Sequence, residues 1–312
     1  MSRLAEAWKR AGEGDRPGAI GVEPEPNAPD DFLSESGAEP LAPASEALTR
    51  TASAPGIRVE AGRDLQSNAE SQLEVDGAST ALGTFRAFKK DIIEKVVIEG
   101  GASTGVVEEY RKLASVLHHA QGAHGLKVLM VTSAAAGEGK TLTSVNLALT
   151  LSRSFHRRVL LVDCDLRKPT VHSIFGLENT AGVIDALRSN DDPKVHLVQA
   201  LPRLTLMLSG GMAADPITLL SSAVVPALFR DVSELFDWVI VDTPPAAVLP
   251  DCSLLAPAVD AALVVVGAFE TPYPLVQRAV EAIGRDKILG VVMNRAERPV
   301  SPKYYYGYYN YA

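Results

Sequence analysis

Six short apolar runs punctuate residues 127–294: KVLMVTS, RVLLVDCD, RLTLMLSG, DWVIVDTPP, DAALVVVG and KILGVVMN. Each is rich in Val, Leu, Ile or Met and lacks the polar alternation of a half-exposed strand. Such runs suit strands buried on both faces, as in a parallel sheet covered by helices. Helical stretches separate them. Ahead of the first run, VVEEYRKLASVLHHA sets Val107, Tyr110, Leu113 and Leu117 at helical spacing. The order predicts one doubly wound α/β domain with a mostly parallel sheet, spanning residues 83–299. In that architecture ligands bind at the carboxyl ends of the strands.

The pattern changes outside this region. Residues 1–12 predict a short amphipathic helix, with Leu4, Trp8 and Ala11 on one face. Residues 13–82 are rich in Ala, Glu, Pro, Gly and Ser and read as a disordered linker, unable to bury enough apolar surface to offset its ordering entropy. Charge follows the same boundary. Residues 13–80 hold fourteen acidic and four basic side chains, a net of −10, against −8 for the whole chain. The remainder is therefore close to neutral, at about +2, which argues against a broad nucleic-acid surface. The last residues, 300–312, form a separate tail. Six of the eight tyrosines fall there: Tyr304, Tyr305, Tyr306, Tyr308, Tyr309 and Tyr311. Six exposed rings are a solubility liability unless the tail serves a chemistry done to tyrosine.

Two cysteines, Cys164 and Cys252, are too few for a structural zinc site or a disulfide framework, and both read as buried, inert thiols. No run approaches the ~18 apolar residues of a membrane span. The start MSRLAEAWKRAG lacks the apolar core of a secretory signal, so the expected location is cytoplasmic.

The chemistry concentrates at the ends of three runs. After KVLMVTS comes AAAGEGKT, opening a helix. Its spacing is that of a phosphate loop, with Ala134 in the first position. Gly137 and Gly139 let backbone N–H groups turn toward phosphate oxygens. Lys140 reaches the β- and γ-phosphates, and the Thr141 hydroxyl ligates Mg²⁺. Glu138 and Leu142 complete the nucleotide-binding stretch, and the helix aims its positive end at the anion. RVLLVDCD ends with Asp163 and Asp165, two apart and so on one side of an extended chain. Two carboxylates there call for a cation, and Mg²⁺ is that cation beside a nucleotide. DWVIVDTPP closes in Asp242, the usual partner of a phosphate loop, holding Mg²⁺ directly or through water. Asn294 follows the last run and is a candidate for the adenine base, or an ordinary turn residue. Arg167 and Lys168 are candidates for holding an incoming substrate, or for starting a helix. His118 and His119 have no third ligand in view, so a packing role is expected.

AAAGEGKT, VLLVDCDLRKP and VIVDTPP, in this order and with the tyrosine-rich end, resemble the bacterial tyrosine kinases (BY-kinases) of capsule and exopolysaccharide synthesis. The resemblance covers about residues 100–312. It implies a P-loop NTPase fold, ATP and Mg²⁺ as cofactors, and autophosphorylation of the tail tyrosines between neighbouring subunits. By match, Lys140, Asp163, Asp165 and Asp242 are the catalytic residues, and Thr141, Asp163 and Asp242 serve the metal. The family's Glu-x-x-Arg-x-x-Arg assembly motif is met by Glu108 and Arg111, with Ala114 in the last position. The implied partners are its own neighbouring subunits, a separate membrane-embedded chain-length or activator protein that recruits it to the inner membrane face, and a tyrosine phosphatase. Two rivals share the residues. A Min/Par-type positioning ATPase has a lysine early in the phosphate loop, where this chain has Ala135, and lacks a tyrosine tail. A nucleotide-bound scaffold would transfer no phosphate at all.

Overall fold

The computed structural model describes residues 85, 87–89, 92–98, 100–188 and 195–296. The expected N-terminal helix, the acidic linker and the tail tyrosines lie outside the described residues. All six apolar runs become strands. β1 (Val128–Ser133), β2 (Val159–Asp163), β4 (Leu204–Met207), β5 (Trp238–Asp242), β6 (Ala261–Gly267) and β7 (Ile288–Asn294) join a shorter β3 (Val198–Leu201) in one sheet. The strand order is β3-β4-β2-β5-β1-β6-β7. Every pairing is parallel except β3 with β4, which is antiparallel.

Eight α-helices are described: α1 (Thr104–His124), α2 (Lys140–Ser154), α3 (Val171–Phe175), α4 (Val183–Arg188), α5 (Pro216–Leu220), α6 (Val224–Leu235), α7 (Asp251–Leu255) and α8 (Tyr273–Ile283). They cover both sides of the sheet, which explains the unbroken apolar runs. On one side, Met130, Leu160, Val162, Val239 and Val241 pack against Leu228, Phe229 and Val232 of α6 and Leu255 of α7. On the other, Leu129, Val131, Leu161 and Ile240 pack against Val145, Leu149 and Leu151 of α2. Each such side chain, fully buried, contributes roughly 1.5–3 kcal/mol.

α2 lies between the sheet and α1, so residues 143 to 152 are buried without interruption. A helix buried all round must satisfy its polar residues internally. Asn146 does so by accepting from the Val97 amide (3.0 Å) and donating to the Lys95 carbonyl (2.9 Å). This ties the chain entering the domain to the helix that leaves the phosphate loop. α1 leans on α2 through the buried Ala114 and Leu117. Phe85 and Phe88 meet Phe175 of α3 at ring distances of 5.5 and 5.1 Å. No helix among the described residues is long and apolar enough to cross a membrane.

Candidate nucleotide site

Parallel pairing places the carboxyl ends of β1, β2 and β5 side by side, and Asp163 stands directly opposite Asp242 in register. The loop from Ala134 to Gly139 then turns off the end of β1 into α2. Gly137 and Gly139 both have left-handed backbone, with φ of +83° and +91°. Only glycine takes that conformation without steric cost. A Cβ at Gly139 would also run into the Asn294 amide.

Lys140 reaches across to the second and third motifs. Its Nζ donates to Asp165 Oδ2 at 2.8 Å and lies 3.9 Å from Asp242 Oδ2. The Thr141 hydroxyl donates to Asp242 Oδ2 at 2.7 Å, and Ser144, one helical turn on, donates to Asp242 Oδ1 at 3.0 Å. Asp163 accepts from the backbone amides of Asp165, Thr170 and Val171 at 3.0–3.2 Å, so one carboxylate fixes the start of α3. Lys140, Thr141, Asp163, Asp165 and Asp242, distant in sequence, thus converge at one point.

Three carboxylates face one ammonium there, and Asp163 and Asp242 have no solvent exposure. Burial pushes the Asp163 carboxyl up to about 8, helped by the nearby charge of Asp242 and against the pull of its amide donors. Burial raises Asp242 as well, against the attraction of Lys140. Lys140 is held above the ordinary lysine value because Asp242 and Asp165 outweigh its own burial. The constellation is short of positive charge. Hard carboxylate and hydroxyl oxygens in such a deficit suit Mg²⁺. Among the described residues no three His, Cys, Asp or Glu side chains are grouped to hold a metal alone. An ion that takes most of its ligands from phosphate and water needs no such group.

The side chains of two residues assigned to the nucleotide also make bonds within the protein. The Glu138 side chain turns inward, 4% exposed. It accepts from the Ala135 amide (2.6 Å), the Gly267 amide (3.1 Å) and the Thr271 hydroxyl, bracing the loop against the end of β6. Asn294 donates through Nδ2 to the Glu138 carbonyl at 2.8 Å, while its Oδ1 accepts from the Arg295 amide at 2.9 Å. Its amide therefore holds the loop, with one N–H and one oxygen lone pair left over for a base. Leu142 packs its side chain toward the core, leaving its backbone for a ligand.

Sequence reasoning missed three further residues. Ser144 sits at i+4 from Lys140, a spacing that faces it the same way. Arg295, with φ of +57°, donates to Glu270 Oε2 at 2.6 Å and to the Gly137 carbonyl. Asp251, at the start of α7, is buried and accepts from Arg167 Nε at 3.0 and 3.1 Å. Arg167 is thus committed to an internal ion pair, while Lys168 is exposed. Cys164 and Cys252 are buried as expected, and burial raises both thiols, Cys252 to about 11. His119 Nδ1 meets the Ser115 carbonyl at 2.7 Å, and His118 stacks near Phe155. Glu108 and Arg111 pair with each other at 2.6 Å on the exposed face of α1. Ala114, where the assembly motif has its second arginine, is fully buried under α2, so a long charged side chain has no room there.

A left-handed glycine loop, a lysine and threonine at the start of its helix, and aspartates closing two neighbouring strands define a phosphate-loop nucleotide-binding domain. Residues 129–307 match the family model of the CobQ/CobB/MinD/ParA nucleotide binding domain. Tyrosine-protein kinase YwqD of Bacillus subtilis (strain 168) is 35% identical over 206 residues, covering 65% of this chain and 85% of that protein. The putative tyrosine-protein kinase CapB of Staphylococcus aureus is 28% identical over 228 residues, covering 71% of this chain and 98% of that protein. The crystal structure of the VpsO kinase domain matches at 31% identity with a TM-score of 0.53, covering 61% of this chain and 96% of that one. Within the nucleotide-binding class, the chain belongs to the bacterial tyrosine-kinase (BY-kinase) family.

Proposed function

We propose that this protein is an ATP- and Mg²⁺-dependent protein-tyrosine kinase. Its substrate is the tyrosine cluster of its own C-terminus, Tyr304, Tyr305, Tyr306, Tyr308, Tyr309 and Tyr311, presented by a neighbouring subunit. Through that modification it regulates exopolysaccharide or capsule synthesis or export. The observation that carries this reading is the convergence of Lys140, Thr141, Asp163, Asp165 and Asp242 at one buried, cation-deficient point in a chain that ends in tyrosines.

The residues divide the work. The glycine loop and the start of α2 offer backbone N–H groups to the phosphates. Lys140 sets its charge against the β- and γ-phosphates, leaving Asp165 or sharing with it. Thr141 and Asp242, with Asp163 behind them, would hold Mg²⁺, which would supply positive charge to the transferring phosphoryl group. A tyrosine hydroxyl, with a pKa of ~10, is a poor nucleophile at neutral pH. Asp163, buried between β2 and α3 beside the phosphate loop, accepts or orients its proton. Each phosphate added to the tail brings roughly −1.5 to −2 charges. Repulsion among them and from the acidic site releases the tail and loosens the assembly it bridges, which analytical ultracentrifugation of the two forms tests directly.

A separate membrane-embedded activator and a tyrosine phosphatase are the partners this cycle requires. The deciding experiment is peptide mass spectrometry after incubation with ATP and Mg²⁺, with and without the activator, beside Lys140→Met. Phosphate on residues 304–311 of the parent alone is expected. ATP turnover without phosphotyrosine would instead identify a Min/Par-type positioning ATPase. Neither product in either condition would leave a nucleotide-bound scaffold.

A further inference from the structure

Phe269 lies two residues beyond the end of β6 and is 97% exposed, with a φ of +63°. Single exposed hydrophobic residues are ordinary. A bulky side chain in left-handed backbone is not, because its Cβ crowds the following carbonyl. Glycine or asparagine would make the same turn at less steric cost. The ring adds nothing to the core, so folding gains nothing from keeping phenylalanine there. Residues held in sparsely populated backbone regions cluster at ligand sites.

The turn that carries Phe269 is fastened to the phosphate loop. The Gly267 amide and the Thr271 hydroxyl both donate to Glu138 Oε1. Arg295 bridges Glu270 to the Gly137 carbonyl. The Ala268 amide donates to the Asn294 carbonyl at 2.8 Å, and Asn294 in turn holds the Glu138 carbonyl. Residues 137–138, 267–271 and 294–295 therefore form one bonded unit.

The sheet order gives that unit a direction. β5 and β2 lie on one side of β1, and β6 and β7 on the other. Lys140, Asp163, Asp165 and Asp242 all gather on the β5–β2 side. A nucleotide whose terminal phosphate meets them, with its chain of phosphates wrapped by the loop, sends its sugar and base toward β6 and β7. Asn294 stands there with one N–H of its amide spent on the loop, and Phe269 stands there with its ring free.

We infer that Phe269 is the base-stacking residue of the nucleotide site, offering its π-face to the purine. This rests on the nucleotide reading above and deepens it: Asn294 lies at the edge of the base, and the aromatic ring grips its face. Stacking of this kind tolerates any base with a π-face and contributes through contact area.

The test is calorimetric binding to the full-length protein, comparing ATP with inorganic tripolyphosphate, which keeps the phosphates and lacks the base. Phe269→Ala is expected to weaken ATP binding about tenfold, the order expected for one lost base–aromatic stack, and to leave tripolyphosphate unchanged. KM for ATP should rise while kcat at saturation stays near the parent value, and Phe269→Trp should restore affinity. In Phe269→Trp, added ATP should change the tryptophan emission relative to the parent, and tripolyphosphate should not. An unchanged ATP affinity in Phe269→Ala overturns the inference and leaves the kinase reading standing. Equal weakening of both ligands also overturns it, since the ring would then act only through the loop. A parent protein that binds neither ligand overturns both this inference and the nucleotide reading beneath it.

Discussion

The two sides of β1 hold the same phosphate loop by opposite means. On the β5–β2 side, three carboxylates and one lysine are packed together with little exposure, and the groups are strained electrostatically. On the β6–β7 side, Glu138 and Asn294 are matched donor for acceptor, with little left unsatisfied. The first side stores a charge imbalance that a phosphate and its cation correct. The second stores none and holds the loop through protein groups alone. A site that must both grip and react benefits from this split, because the stiffness does not depend on the groups that change partners.

Breaking the charged side at its centre should give the largest effect. Lys140→Met removes the only ammonium among three carboxylates, and phosphotyrosine formation is expected to fall ~1,000-fold or more, about 4 kcal/mol of barrier, with circular dichroism showing the fold retained. On the braced side, Glu138→Ala leaves the Ala135 and Gly267 amides and the Thr271 hydroxyl without their acceptor. Roughly 1–3 kcal/mol of stability should be lost, read by urea unfolding, and nucleotide affinity should fall with it. If Glu138→Ala abolished catalysis yet left stability unchanged, the division between the two sides would be wrong.

A second stability effect separates the sides by pH. Asp163 titrates at about 8 in the fold, well above the ~3.9 of an unfolded aspartate. The fold therefore holds this proton more tightly than the unfolded chain does. That contribution is complete below about pH 4 and is lost as pH rises through the folded value. The thermal midpoint of the nucleotide-free protein should decline from pH 5 to pH 8, and Asp163→Asn should flatten the slope. The smallest effect belongs to the exposed end of the brace. Arg295→Ala, which removes a half-exposed ion pair with Glu270, should cost under about 1 kcal/mol. A larger loss would mean its bond to the Gly137 carbonyl governs the loop.

Much of this was legible in the sequence, and the gaps have physical causes. The six apolar runs announced six strands because helices bury both faces of the sheet. β3 escaped notice because it is an edge strand of four residues, with Val198 and Ala200 buried and Gln199 exposed. Lys140, Thr141 and the three aspartates could be picked out because each lies at or just beyond a strand end or at a helix start. Glu138 and Asn294 were given to the nucleotide because they stand in its motifs. Their side chains are claimed by groups over a hundred residues away, and no local spacing reveals that. Arg167 stays open between holding a substrate and starting a helix for the same reason: its counter-ion Asp251 lies 84 positions further along.

The register that sets Asp163 against Asp242 also bears on how the protein comes to exist. The two residues are brought together only when β2 and β5 pair, across a long stretch that includes β3, β4 and four helices. Parallel pairings of distant segments form slowly, since the loop must close before the contact rewards it. The phosphate loop itself is local and can form early. A half-made molecule would therefore carry a cradle for phosphate but no means of transferring it. Competence waits for that long-range pairing, which makes catalytic activity a stringent report on completed folding.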